Sequence, residues 1–387
     1  MPTTTLRGLI WDHPRAVDPI LRATDEHEAR TGTTVAWTAR PLEEFEDVPL
    51  DELAEDFDVL AIDHPFVGDA ARNGALAPLS ELVAAGELDR RDRDYVGPSL
   101  RSYLWEGRLM ALPVDAACMV SAARTTGGAG VLPRTWQDAV LHLASLGPER
   151  TLLAANPTHL WGTFLSMCEA VHQGGRAGDR PAWWGDGGLD EDTALGALDL
   201  LRDVLALVPE RSFGASPIQV LDELAGAGAA VYSPLVFGYV TYALERPGAA
   251  RVAFGDAPSG APGTPTGSLT GGVGLAVSAR STNLQEAADF VLLATSPDVQ
   301  AGSYAAAGGQ PAAARAWHDP GTDRRAGGFF GGTLATMERS FLRPRGPGYP
   351  RFQRAAATAL HDLIRGGARD AQVVAHLDEL WAGARVG

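Results

Sequence analysis

Two short, largely apolar runs, Leu6–Trp11 and Asp58–Ile62, end in the same tripeptide, Asp-His-Pro, at 12–14 and again at 63–65. Continuous apolar runs of this length read as strands buried on both faces, the signature of a parallel sheet. Proline at the third position has no N–H for a ladder, so it stops the strand and biases the histidine before it towards extended backbone. Between the two copies lie a helical pattern over about 17–31, stopped by Gly32, a strand-like Thr34–Thr38 and an acidic, partly helical stretch from Pro41 to Glu55. Strands alternating with helices in this way predict an α/β fold with mostly parallel sheets.

With 387 residues, 45% of them hydrophobic, the chain has material for two or three domains and a sizeable core. Its 32 basic residues are all arginine. Without lysine there is no Schiff-base lysine, no P-loop lysine and no lysine general base. A net charge of −16 argues against nucleic acid as a partner, because phosphate binding needs clustered cations. The basic run Arg90, Arg91 and Arg93 is interleaved with Asp89, Asp92 and Asp94 and reads as a solvated face. Cys118 and Cys168 have neither metal-ligand nor redox spacing and are expected as reduced core residues. No run of about 18 apolar residues occurs, so membrane insertion is not expected. The start, MPTTTLRG, carries no charged n-region or long apolar h-region, which predicts a cytoplasmic protein.

Further along, Gly107–Pro113 and Val114–Ala122 are strand-like, and Thr135 is placed to cap a helix reaching Leu146. A Gly-, Asp- and Trp-rich loop over 174–192 carries Trp183 and Trp184, expected to pack as a lid or on a lobe surface. Helices follow at about 193–208 and 217–226, a strand at Ala229–Ser233, a loop over 255–272 and a strand at Gly274–Val277. Helices at about 284–295 and 297–304 and a helical tail from Arg351 to Ala382 complete the chain.

The order of Gly107–Pro113 (GRLMALP), Leu132–Leu146, Thr270–Ser278 (TGGVGLAVS), Ala287–Gln300, Gly308–Pro311 (GGQP) and Arg343–Tyr349 (RPRGPGY) resembles the type 1 extracellular solute-binding proteins of ABC importers over nearly the whole chain. The resemblance implies a two-lobed periplasmic-binding-protein-like fold (type II). One lobe takes 1–112 with about 265–310, and the other takes 113–264 with about 311–387. It also implies a ligand in the cleft between the lobes and closure about a hinge. A chain that starts without an export signal is not expected to serve an ABC permease, and a monomer is expected.

If the sheet is parallel, Asp12, His13, Asp63 and His64 converge on the cleft mouth, with Asp115 near the crossing. The bland alternative is that each aspartate caps the following helix and each histidine packs behind it. Carboxylates and histidines in a cleft suit hydrogen bonds to hydroxyls or an amine. They also suit acid–base chemistry by His13 or His64 with Asp63. Metal binding has no diagnostic spacing behind it. Trp11 and Trp161 are candidates for stacking on a ring, Tyr232 and Tyr239 for hydroxyl contacts. His159 points the same way as Trp161 if their segment is extended. Gly271 and Gly272 would let a ligand approach the backbone, and Gln310 would contribute an amide. No P-loop, dinucleotide fingerprint, nucleophile elbow, HExxH or CxxC occurs, and no cofactor is expected. The leading expectation is a binding protein for a small polar organic solute, its acid-lined cleft fitting a neutral polyol or a cation. An enzyme on the same scaffold and a ligand sensor acting on a protein partner stand as alternatives.

Overall fold

The computed structural model describes residues 4–41, 48–91, 93–126, 131–172, 181–185, 187–264 and 267–384. Parts of the expected acidic helix before Leu50 and of the Gly- and Trp-rich loop, and Asp92 of the basic run, lie outside these residues.

The first three long strands, β1 (Thr5–Trp11), β2 (Thr34–Arg40) and β3 (Val59–Ile62), pair in parallel, with Thr5 opposite Thr34 and Gly8 opposite Val59. Between β1 and β2 runs α1 (Pro14–Thr31), ended by Gly32 in the left-handed region at φ 76°. The chain then leaves this block through β4 (Leu112–Arg124) and returns through β7 (Thr270–Ser278). At about 3.3 Å per residue the 13 residues of β4 extend for about 40 Å, long enough to serve a sheet in each lobe.

In between lie β5 (Tyr232–Phe237) and β6 (Val252–Gly255), which both pair with β4. The strand order is β5-β4-β7-β3-β1-β2. Here the structure corrects the expectation of mostly parallel sheets. β7 is antiparallel to both β3 and β4, and β5 and β6 are antiparallel to β4. A chain that crosses out on one strand and back on its neighbour must pair antiparallel there, and among the described residues the parallel ladders lie in β1–β3.

The central sheet is buried by α1 and other helices in one apolar cluster. A second cluster joins α2 (Trp136–Leu146), α3 (Pro157–Val171) and α4 (Glu191–Leu205) to the C-terminal pair α6 (Tyr349–Arg365) and α7 (Asp370–Ala384). α5 (Pro217–Ala225) packs against β5, β6 and β4. Trp183 and Trp184, expected at a surface, are each 1% exposed. Trp184 is ringed by Trp161, Phe352 and Trp381 at 5.3–6.0 Å, so apolar burial outweighs the flexible composition of that segment. Cys118 and Cys168 are free and buried. Among the described residues no helix is long and apolar enough to cross a membrane.

Candidate functional site

The carboxyl ends of β1, β2 and β3 share one edge, where open α/β sheets hold their ligands. Both Asp-His-Pro copies make the strand-to-helix turn there, but they use different capping groups. At the first, His13 is extended (φ −155°, ψ 143°) and its Nδ1 accepts the Arg15 N–H at 3.0 Å, leaving Asp12 exposed. At the second, Asp63 caps the turn, accepting the His64 N–H at 2.8 Å.

A chamber of about 380 Å³ opens at this edge. One wall is Trp11, Asp12, Pro41 and Phe66; the opposite wall is built by the starts of α3 and α5 and by α6. Asn156 caps α3 by accepting the His159 N–H at 3.1 Å, and Pro157 follows as its first residue. Ser216 caps α5 in a reciprocal pair with Gln219, again followed by proline. These caps turn two helix starts, the positive ends of their dipoles, towards the chamber. Deeper lies a cavity of about 110 Å³ that shares Trp11, His159, Tyr239 and Gln353 with the chamber and adds Arg15, Asp63, Phe237 and Arg343.

Two buried ion pairs govern the electrostatics. Arg15 donates through Nε to Asp115 Oδ2 at 2.8 Å and through a terminal nitrogen to the other carboxylate oxygen. It donates again to the Gly238 carbonyl at 3.0 Å and lies 4.4 Å over the Tyr239 ring. Arg343 donates to Asp63 Oδ2 at 2.8 Å and to Gln353 Oε1 at 3.0 Å. Although burial opposes it, Arg343 and His64 hold the Asp63 carboxyl well below the usual range, so it is ionised. Burial pushes His13, His64 and His159 down to about 4, aided at His13 by Arg15 and at His159 by Arg343, so all three are neutral near pH 7. With His159 Nδ1 at 2.7 Å from Asn156 Oδ1, the tautomer with hydrogen on Nδ1 fits, leaving Nε2 as an acceptor.

Of the residues singled out in the sequence, Trp11, Asp12, Asp63, His159, Trp161, Gly271, Gly272 and Tyr239 line one or both cavities. Five others do not. His13 is spent on its cap and packs 5.0 Å from the Tyr239 ring. His64 is 1% exposed, with Nδ1 at 3.1 Å from Asp63 and a buried Nε2 without a partner. Asp115 is 1% exposed and fully engaged by Arg15. Tyr232 is buried in β5 against His142. Gln310 uses its amide to bridge backbone, accepting from Val240 N–H at 2.9 Å and donating to Ala116 O at 2.7 Å.

His159 and Trp161 sit on a helix rather than an extended segment, because Asn156 and Pro157 start α3 just before them. The two glycines also serve strand packing. A Cβ at Gly271 would sit 2.7 Å from the Phe237 ring, and Gly272, at φ 111°, abuts the Asp115 carbonyl. Arg15, Arg343 and Gln353 escaped notice as site residues. An arginine directly after an Asp-His-Pro strand end was the available signal for Arg15, and Arg343 opens the RPRGPGY motif; nothing local marks Gln353.

Two α/β lobes sharing crossing strands, with cavities at the strands' carboxyl ends, define a two-lobed ligand-binding protein. The family of bacterial extracellular solute-binding proteins matches residues 23–322, and the chain belongs to it. Curated proteins offer no match. Among solved structures, maltose-bound MalE3 of T. maritima is similar at a TM-score of 0.78 with 16% identity, over 98% of this chain and 99% of that one. A maltotriose-binding protein of Thermus thermophilus, bound to maltotriose, is similar at 0.75 and 20% over 99% and 100%. An ABC transporter solute-binding protein of Agrobacterium radiobacter K84, in complex with ribitol, is similar at 0.75 and 19% over 98% of each chain.

Proposed function

We propose that this protein binds a saccharide or polyol in the cavities between its lobes, closing about the crossing strands, with the lobes divided at about 112, 265 and 310. The carrying observation is the composition of the paired cavities. Trp11, Phe237 and Tyr239 supply aromatic lining that suits apolar sugar surfaces, while Asn156, Thr158, His159 and Gln353 supply hydrogen-bonding groups for hydroxyls. Similar solved structures bound to maltose, maltotriose and ribitol support the same ligand class.

The test is a thermal-shift screen of alditols and oligosaccharides. A hit at 100 times its dissociation constant is expected to stabilise the fold by about 2.7 kcal/mol. Trp11→Ala should abolish the shift produced by the best hit. No shift across the panel, or a shift indifferent to Trp11, would sink the reading.

A further inference from the structure

The inner cavity is walled by charged groups that have already neutralised one another. Arg15 is paired with both oxygens of Asp115 and donates again to the Gly238 carbonyl, and Asp115 is 1% exposed and lies outside the cavity lining. Asp63 and Arg343 differ, because both halves of that pair line the cavity, with side-chain exposures of 19% and 7%. Arg343 is held on its other side by Gln353, and Asp63 by the backbone and ring of His64. His159, the one imidazole among this cavity's lining residues, is neutral near pH 7.

A solute bearing an ammonium or carboxylate group would therefore meet no unspent counter-charge in the inner cavity. It would have to break a buried pair or be desolvated alone, and either is costly. A neutral hydroxyl can instead accept from a guanidinium edge or donate to a carboxylate lone pair without disturbing the pairs. The outer chamber is different: Asp12 is exposed to solvent on its wall, so charge there stays hydrated.

We propose that the Asp63–Arg343 pair is the specificity determinant that restricts the inner cavity to the uncharged part of a solute. This rests on the reading of the cavities as a saccharide or polyol site. Removing Asp63's charge frees Arg343 for an anion, and removing Arg343's charge leaves Asp63 ready for a cation.

The probes are hexose, hexosamine and hexuronate sharing one skeleton, in the gluco, galacto and manno series, titrated calorimetrically. The proteins are wild type, Asp63→Asn, Arg343→Gln and the double variant. Wild type should favour a hexose over its charged partners by about tenfold or more. Asp63→Asn should shift the ranking towards the hexuronate, and Arg343→Gln towards the hexosamine, each by about tenfold. The double variant should restore preference for the hexose, an outcome that loss of packing would not produce. It also keeps the test alive if one single variant fails to fold, as judged by its ligand-free melting transition. Binding of hexoses and charged analogues by wild type with equal affinity, or a ranking unmoved in the folded variants, overturns the charge-selection proposal alone. No binding of any probe by any of the four proteins overturns the charge-selection proposal, and the saccharide or polyol reading falls with it only if the alditol and oligosaccharide screen also gives no shift.

Discussion

At the scale of residues, the charged groups at the cleft serve the fold before they serve a ligand. Arg15 and Asp115 are 4% and 1% exposed, so removing one partner strands the other charge. Asp115→Leu or Arg15→Met alone is expected to cost about 3–5 kcal/mol, while the double replacement recovers much of that. Equilibrium urea unfolding of the three variants checks the ordering, and an additive double variant would contradict it.

The histidines carry a pH signature. His13, His64 and His159 titrate at about 4 in the fold against an ordinary 6.5, so between those values the unfolded chain binds protons that the folded one refuses. Stability should therefore fall as pH drops from 6.5 to 4. Asp63, depressed below the usual carboxylate value of 3.8, should add a further loss at more acid pH as it takes up its proton. Melting temperatures across pH 4–8 check the sign, and His159→Gln should flatten the slope. The doubled Asp-His-Pro was legible as two strand ends, because proline and apolar runs act locally. Which member would cap and which would line a cavity was not, since Asp63 finds Arg343 across 280 residues.

Elements were legible where local signals agree and misread where one residue type serves two purposes. The strand expected at Gly274–Val277 is present but begins earlier, at Thr270, inside the expected loop, and its glycines looked like an opening for a ligand. They also let β7 pass the Asp115 carbonyl and the Phe237 ring, and only the paired strands reveal that second demand. Gly272 at φ 111° is the more constrained of the two. Gly272→Ala adds backbone strain to a contact that cannot give, and is expected to destabilise by about 1–3 kcal/mol. A chemical denaturation midpoint unchanged from wild type would contradict this. The helix starts facing the chamber were missed for α3, where Asn156-Pro157 outweighs the extended reading of the following residues. They were recovered for α5, whose expected start at 217 is the observed one. Ser216→Ala, which breaks the reciprocal cap, should cost about 1 kcal/mol, readable as a small drop in melting temperature.

For the whole molecule, the chain's length pointed to more than one domain, and the two-lobed arrangement rests on crossing strands rather than on consecutive units. That arrangement was legible through the order of motifs. The mixed sheet was not, because strand direction depends on where the crossing segments return. Net charge adds a constraint of its own. A protein at −16 repels anions and attracts cations at long range, an effect that salt screens within about 8–10 Å. The inner cavity, by contrast, presents paired charges and neutral histidines, and buried pairs are screened far less. Affinity for a neutral saccharide should therefore change by less than about twofold between about 0.05 and 0.5 M sodium chloride. The affinity of Arg343→Gln for a hexosamine should weaken several-fold over the same range, because the acidic surface would then assist a cationic ligand. Titrations at the two salt concentrations decide this. A strong salt dependence of neutral binding in wild type would mean that closure itself moves charged surfaces together, placing the governing electrostatics at the lobe rims instead of the cavity wall.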